Sequence, residues 1–206
     1  MYAIIRRHPG EGRSVMALTE EARRLILPRL QRQPGFAGYL AFLDEAGLPV
    51  SVGLFSDRQT ASVALEGGLA VAESGVDVTA GVIELAQSGH DHGGMATADT
   101  PLYVTIRFYA GAAPGEEVIP RLRGLTVPLM QRQPGFRGCF ALRDERHPDH
   151  VAAVSLWDSR RAAMAAHELV RDVILQQMAD IFPTAPDVVA GASYVASLDA
   201  ARLCTA

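Results

Sequence analysis

At 206 residues, 49% hydrophobic and 20% charged, the chain can bury a sizeable core and is neither disordered nor fibrous. A formal net charge of −4 argues against a nucleic-acid or anionic-membrane partner, and no apolar run reaches the ~18–20 residues that span a bilayer. The opening MYAIIRRHPG lacks a signal-peptide layout and the two cysteines, Cys139 and Cys204, make no disulfide framework, so the composition predicts a cytoplasmic protein.

In chain order, YAIIRR predicts a strand over residues 2–7, followed by an amphipathic helix over about 14–33 with Pro28 inside it. QRQPGF, residues 31–36, ends the helix and opens a strand over 36–43; a turn, a strand over 50–55, a helix over about 57–73 and a strand over 76–87 follow. SGHDHGGMATADTP is small, polar and aperiodic, which marks a linker over 88–100. LYVTIRFY then alternates, with Leu102, Val104, Ile106 and Phe108 on one face and Tyr103, Thr105, Arg107 and Tyr109 on the other. A helix to about 133 carries Pro128 and runs into a second QRQPGF, residues 131–136. FRGCFALRD and VAAVSLW read as strands, Asp158 as the N-cap of a helix to about 181, and VVAGASYVASL as the last strand.

The two QRQPGF segments stand one hundred residues apart, and their flanks match in the same order. LDE at 43–45 answers RDE at 143–145 before a turn two residues longer in the second copy, and VTAG at 78–81 answers VVAG at 188–191. The chain is thus a tandem duplication of a β-α-β-β-α-β unit. The fold class expected is α+β: two ferredoxin-like units, residues 1–87 and 101–206, packed sheet to sheet as an intramolecular pseudo-dimeric α/β barrel. The face carrying Tyr103, Thr105, Arg107 and Tyr109 is expected to line a ligand cavity between the sheets.

PGF.G opening the second strand, a third strand ending in Trp157, and His167 ten residues later resemble the antibiotic biosynthesis monooxygenase family of dimeric α/β barrels. The resemblance covers both halves and specifies the fold better than the activity. It implies cofactor-independent oxygenases of phenolic polyketides, haem-degrading oxygenases, or relatives without known activity. The chain contains no asparagine and no lysine. The asparagine-dependent haem-degrading mechanism therefore does not carry over, and Schiff-base lysines and a P-loop are excluded as well.

What the resemblance implies for chemistry is a monooxygenase-like protein, needing no cofactor, that acts on a small aromatic or quinone-like molecule. In that reading His167 is the base, Arg107 the partner of the substrate anion, and Tyr103, Thr105, Tyr109 and Trp157 the ligand-binding wall. Each also has a structural reading: Trp157 as a strand–helix corner, His167 as a packed helix residue, Arg107 as one end of a salt bridge. The rival function is a non-catalytic small-molecule-binding or stress-associated module of the same fold. Cys139 reads as a small core residue. No metal is expected, since neither His90 with His92 nor His147 with His150 forms a complete ligand set. A small molecule is the expected partner, and a homodimer of the two-repeat chain is compatible with the sequence. Pairing Trp157 with Phe55, His167 with Leu65, Tyr103 with Ala3, Thr105 with Ile5 and Arg107 with Arg7 predicts one functional pocket per chain, in the second half.

Overall fold

A computed structural model describes residues 1–8, 14–64, 75–89 and 101–198. Eight strands close into one antiparallel barrel, β1(Tyr2–Arg7), β2(Phe36–Leu43), β3(Pro49–Phe55) and β4(Asp77–Ser88) from the first half, β5(Tyr103–Tyr109), β6(Phe136–Arg143), β7(Val151–Trp157) and β8(Asp187–Leu198) from the second. Their order around the barrel is β1-β3-β2-β8-β5-β7-β6-β4. The halves join edge to edge twice, β2 against β8 and β4 against β6. An eight-stranded barrel is just wide enough for side chains to fill it. Here they do: Ile5, Leu40, Phe42, Val52, Leu54, Val104, Ile106, Phe140, Val154 and Leu156 form a buried, wholly apolar interior.

This filling corrects the expected position of the cavity. Tyr103 and Tyr109 belong to a separate core that packs on the helices, together with Trp157, Val118, Met130, Val170 and Ile174. The face with Tyr103, Thr105, Arg107 and Tyr109 therefore lies under the helical layer and not between the sheets. Strand alternation grouped the residues correctly, but period two alone cannot say which face meets which partner.

The register also moves the comparison of the two halves by one residue. Tyr2 pairs with Phe55 and Val82, as Tyr103 pairs with Trp157 and Ala192. The counterparts of Tyr103, Thr105 and Arg107 are thus Tyr2, Ile4 and Arg6, not Ala3, Ile5 and Arg7. A one-residue slip exchanges the two faces of a strand. Phe55 does oppose Trp157, while Leu65 and the remainder of the helix expected to reach residue 73 lie outside the described residues, as do residues 90–100 of the expected linker.

In each half the helix after the first strand is interrupted by a π-helical turn. α1(Val15–Glu21) and α2(Leu27–Gln31) flank Ala22–Ile26; α4(Gly115–Arg121) and α5(Val127–Gln131) flank Leu122–Thr126. Pro28 and Pro128 follow directly, and a proline cannot donate to the preceding turn, so the widened turn takes up the lost bond. The repeated QRQPGF is the next corner. Gly35 and Gly135 adopt φ of 77° and 81°, and their carbonyls accept the N–H groups of Ser56 and Asp158, just ahead of the second helices, α3(Arg58–Ala64) and α6(Arg160–Gln177), the latter capped by Ser159 and not by the expected Asp158. The retained hexapeptide is a positive-φ corner that docks on the second helix of its own half.

The retained Asp-Glu pairs serve the joint between halves. Glu45 accepts from Tyr103 Oη at 3.3 Å and from Arg160 Nη2 at 2.9 Å. Its twin Glu145 meets Arg58 at 3.0 Å and bonds Tyr2. Each half thus lends one carboxylate to a tyrosine–arginine pair of the other.

Candidate active site

Between the second-half sheet and its helices lies a small cavity, partly open to solvent. β5 contributes Arg107 and Tyr109, β6 Cys139 and Ala141, and β7 Ala153 and Ser155. The roof is Leu122, Thr126, Val127 and Met130 from the π-turn region with Val170 and Ile174 from α6; Leu85 of β4 closes one side. The widened turn therefore does more than accommodate Pro128, because Leu122 and Thr126 within it face the cavity.

Arg107 is 6% exposed, and its Nη2 lies 2.9 Å from His167 Nδ1. Guanidinium nitrogens only donate, so Nδ1 accepts and the neutral imidazole carries its proton on Nε2. Among the described residues no carboxylate lies within salt-bridge distance of Arg107. Burial lowers the Arg107 pKa, with only a small opposing contribution from Tyr109. His167, half-buried on α6, is held below the ordinary imidazole value first by burial and then by the Arg107 charge. Burial pushes the Tyr109 phenol up to about 12; its ring stacks on Phe182 at 4.1 Å between centroids. The Cys139 thiol is likewise pushed up to about 12 by burial, which makes it an apolar wall and not a nucleophile.

The structure thus sets Arg107 and Tyr109 in the cavity wall and bonds His167 to Arg107 from behind it, since His167 is not itself a lining residue. Tyr103, Thr105 and Trp157 share the strand face but also stand outside the cavity wall. Tyr103 is held by Glu45. Trp157 donates Nε1–H to Ser155 Oγ at 3.0 Å and packs edge-on against Phe136 at 5.3 Å between centroids. Cys139, Thr126 and Ser155 belong to the cavity and had not been singled out as site residues. Thr126 and Ser155, hydroxyls within otherwise apolar rows, were the available signal.

The first half has a smaller counterpart, lined by Ile4, Arg6, Leu30, Tyr39, Ser51, Gly53, Phe55 and Ala64. Tyr39 occupies the position of Cys139, and its phenol, bonded to Ser51, takes space that the cysteine leaves open. The difference between the halves rests on this exchange more than on β1 and β5. Cys139→Tyr should therefore fill the second cavity at a cost in stability of about 1–3 kcal/mol, and abolish ligand-induced thermal stabilisation. Retained stabilisation would place the ligand elsewhere.

A closed barrel of two fused ferredoxin-like units, with a helix-covered cavity beside the sheet, defines the dimeric α/β barrel class in single-chain form. Residues 101–169 match the family described as antibiotic biosynthesis monooxygenase, and the first half repeats the same β-α-β-β-α-β fold. Solved structures share the whole architecture. A candidate monooxygenase from Lactobacillus acidophilus NCFM aligns at TM-score 0.70 and 10% identity over 97% of this chain and 96% of its own. One from Fusobacterium nucleatum subsp. nucleatum ATCC 25586 aligns at 0.73 and 9% over 97% and 94%. An anthrone oxidase-like protein aligns at 0.70 and 10% over 96% and 93%. A search of curated protein sequences finds no match. Among the described residues no helix is long and apolar enough to cross a membrane.

Proposed function

We propose that the second-half cavity binds a small hydroxylated aromatic or quinone-like molecule as its anion, and that the chain oxygenates it without a cofactor. The observation that carries this reading is the buried Arg107: a cation facing an apolar cavity, with a neutral imidazole and, among the described residues, no carboxylate beside it. A buried charge without a counter-ion is costly, and a substrate oxyanion would supply the missing one. The similarity in fold to an anthrone oxidase-like protein supports the substrate class.

The chemistry follows from the pair. A substrate O–H gives its proton to His167 Nδ1 while the Arg107 N–H turns from that nitrogen to the new oxyanion, so one rearrangement creates the base and the anion site. The electron-rich anion then reacts with dioxygen. For a CH2 carbon oxidised to a carbonyl, one oxygen atom enters the product and the other leaves in water with the two hydrogens, and no external reductant is needed. Oxygen uptake with a panel of anthrones and hydroquinones tests the reading. No turnover, together with ligand-induced thermal stabilisation, would establish the non-catalytic binding module instead.

The His167 shift gives a pH signature. A depressed native pKa means that the unfolded chain binds more protons below the ordinary imidazole value of about 6.5. Stability is then full above that value and falls as pH drops from there through the lower native pKa. The base form of His167 likewise persists below pH 6.5, so kcat/KM should hold its plateau to a lower pH than a free imidazole would allow. His167→Gln keeps an acceptor for Arg107 but cannot take the proton. It should cost roughly 10²–10⁴ in rate with little change in affinity; an unaltered rate would remove His167 as the base.

A further inference from the structure

The β6–β7 turn is two residues longer than its first-half twin, and the longer turn carries His147 and His150. In the short turn, Asp44 Oδ1 accepts the N–H groups of Ala46 and Leu48 at 2.9 and 2.8 Å, and nothing in it resembles a ligand set. In the long turn, Asp144 Oδ1 keeps the capping role, accepting from Arg146 N–H at 3.2 Å. Its Oδ2 turns to His147 Nδ1 at 3.1 Å. The two imidazoles lie 4.9 Å apart between centroids, and one ligand atom from each of Asp144, His147 and His150 falls within a sphere where all are within 4.8 Å of one another. Asp144 is 5% exposed, a carboxylate sunk beneath two more accessible rings.

We propose that Asp144, His147 and His150 form a binding site for a divalent transition ion of the zinc type. Two imidazoles and one carboxylate suit zinc, which would take them at about 2.0–2.1 Å and fill a fourth position with water. Two ligands at that distance on a tetrahedral ion stand roughly 3.3 Å apart, close to the Asp144–His147 separation already present. The backbone prepares the site: Asp144 N–H donates to the His150 carbonyl, His150 N–H to the His147 carbonyl, and Arg143 Nη1 to the Pro148 carbonyl, at 2.9, 2.8 and 2.5 Å. Only rings and a carboxylate need small adjustments. The capping oxygen bonded to Arg146 is the outer support that fixes the carboxylate's aim. Because Glu145 N–H donates to the Ala80 carbonyl at 2.9 Å, an ion held here would clamp the turn that carries the β4–β6 joint.

Titration calorimetry with zinc tests the site, using the full chain with His90→Ala and His92→Ala to remove the other histidine pair. One zinc per chain and a raised Tm are expected, and cobalt should give the visible absorption of a low-coordinate site. His147→Ala and His150→Ala should each weaken binding by more than the roughly 10–100-fold that loss of a supporting residue costs. Replacing residues 144–150 with the sequence of the short turn, DEAGL, should leave a folded chain that binds no zinc. Absence of zinc binding, or binding undiminished by both histidine substitutions, overturns the assignment.

Discussion

Replacing Arg107 by methionine should weaken ligand binding roughly 10–100-fold and at the same time leave the protein as stable as before, or more so. The two effects have one cause. Arg107 is buried, and among the described residues it has no carboxylate partner, so the free protein bears the cost of keeping a desolvated guanidinium. A methionine of similar reach returns that cost, by about 1–3 kcal/mol, and His167 Nδ1 can be solvated because its ring is only half-buried. A bound oxyanion would lose a charge-assisted hydrogen bond worth about 1.5–3 kcal/mol, roughly a 10–100-fold loss of affinity. Thermal melts and ligand titrations of the same variant decide the matter. A clear loss of stability would mean that Arg107 is a structural group; unchanged affinity would mean that the oxyanion does not sit against it.

The second large effect concerns the joints of the barrel. A Cβ at Gly81 would lie 1.8 Å from the Arg143 carbonyl oxygen, and one at Gly191 would lie 1.9 Å from the Leu43 carbonyl oxygen. In each case the obstacle is backbone of the other half, which no rotamer change can relieve. Gly81→Ala and Gly191→Ala should each cost about 3 kcal/mol or more, a fall in Tm of roughly 6–12 °C, because strands β4 and β8 must draw away from β6 and β2. Gly124→Ala is the control: its Cβ would meet nothing within 4 Å, and an alanine in a helical segment should stabilise by up to about 1 kcal/mol. If both joint variants melted like the parent, the closed single-chain barrel would be wrong.

These glycines also show how far a sequence reaches. VTAG and VVAG were recognisable as a repeated pair, and their order along the chain supported the duplication. Their purpose was not legible, because the atoms that exclude a side chain belong to the other half. The same holds for Asp44-Glu45 and Asp144-Glu145. The repetition was plain, but that each glutamate serves a tyrosine and an arginine of the opposite unit depends on contacts distant in sequence.

Local physics determined the elements themselves. Period-two alternation marked β5, and proline and glycine marked the QRQPGF corner; the start of α6 was placed one residue early, since Ser159 and not the expected Asp158 is its N-cap, its Oγ accepting from Ala162 N–H. A hundred-residue repeat was enough to give two like units. Three things waited for the tertiary structure. Strand pairing across the duplication set the equivalence of Arg107 with Arg6, since a one-residue difference in the length of chain between that strand and the next helix is invisible to alternation. Closure of the barrel filled its interior with apolar side chains and so sent the cavity to the helical side of the sheet. The packing of α6 across β5 brought His167 to Arg107 over sixty residues of chain. A strand's own sequence states that it has two different faces; only the element laid against each face decides which one becomes core and which becomes a site.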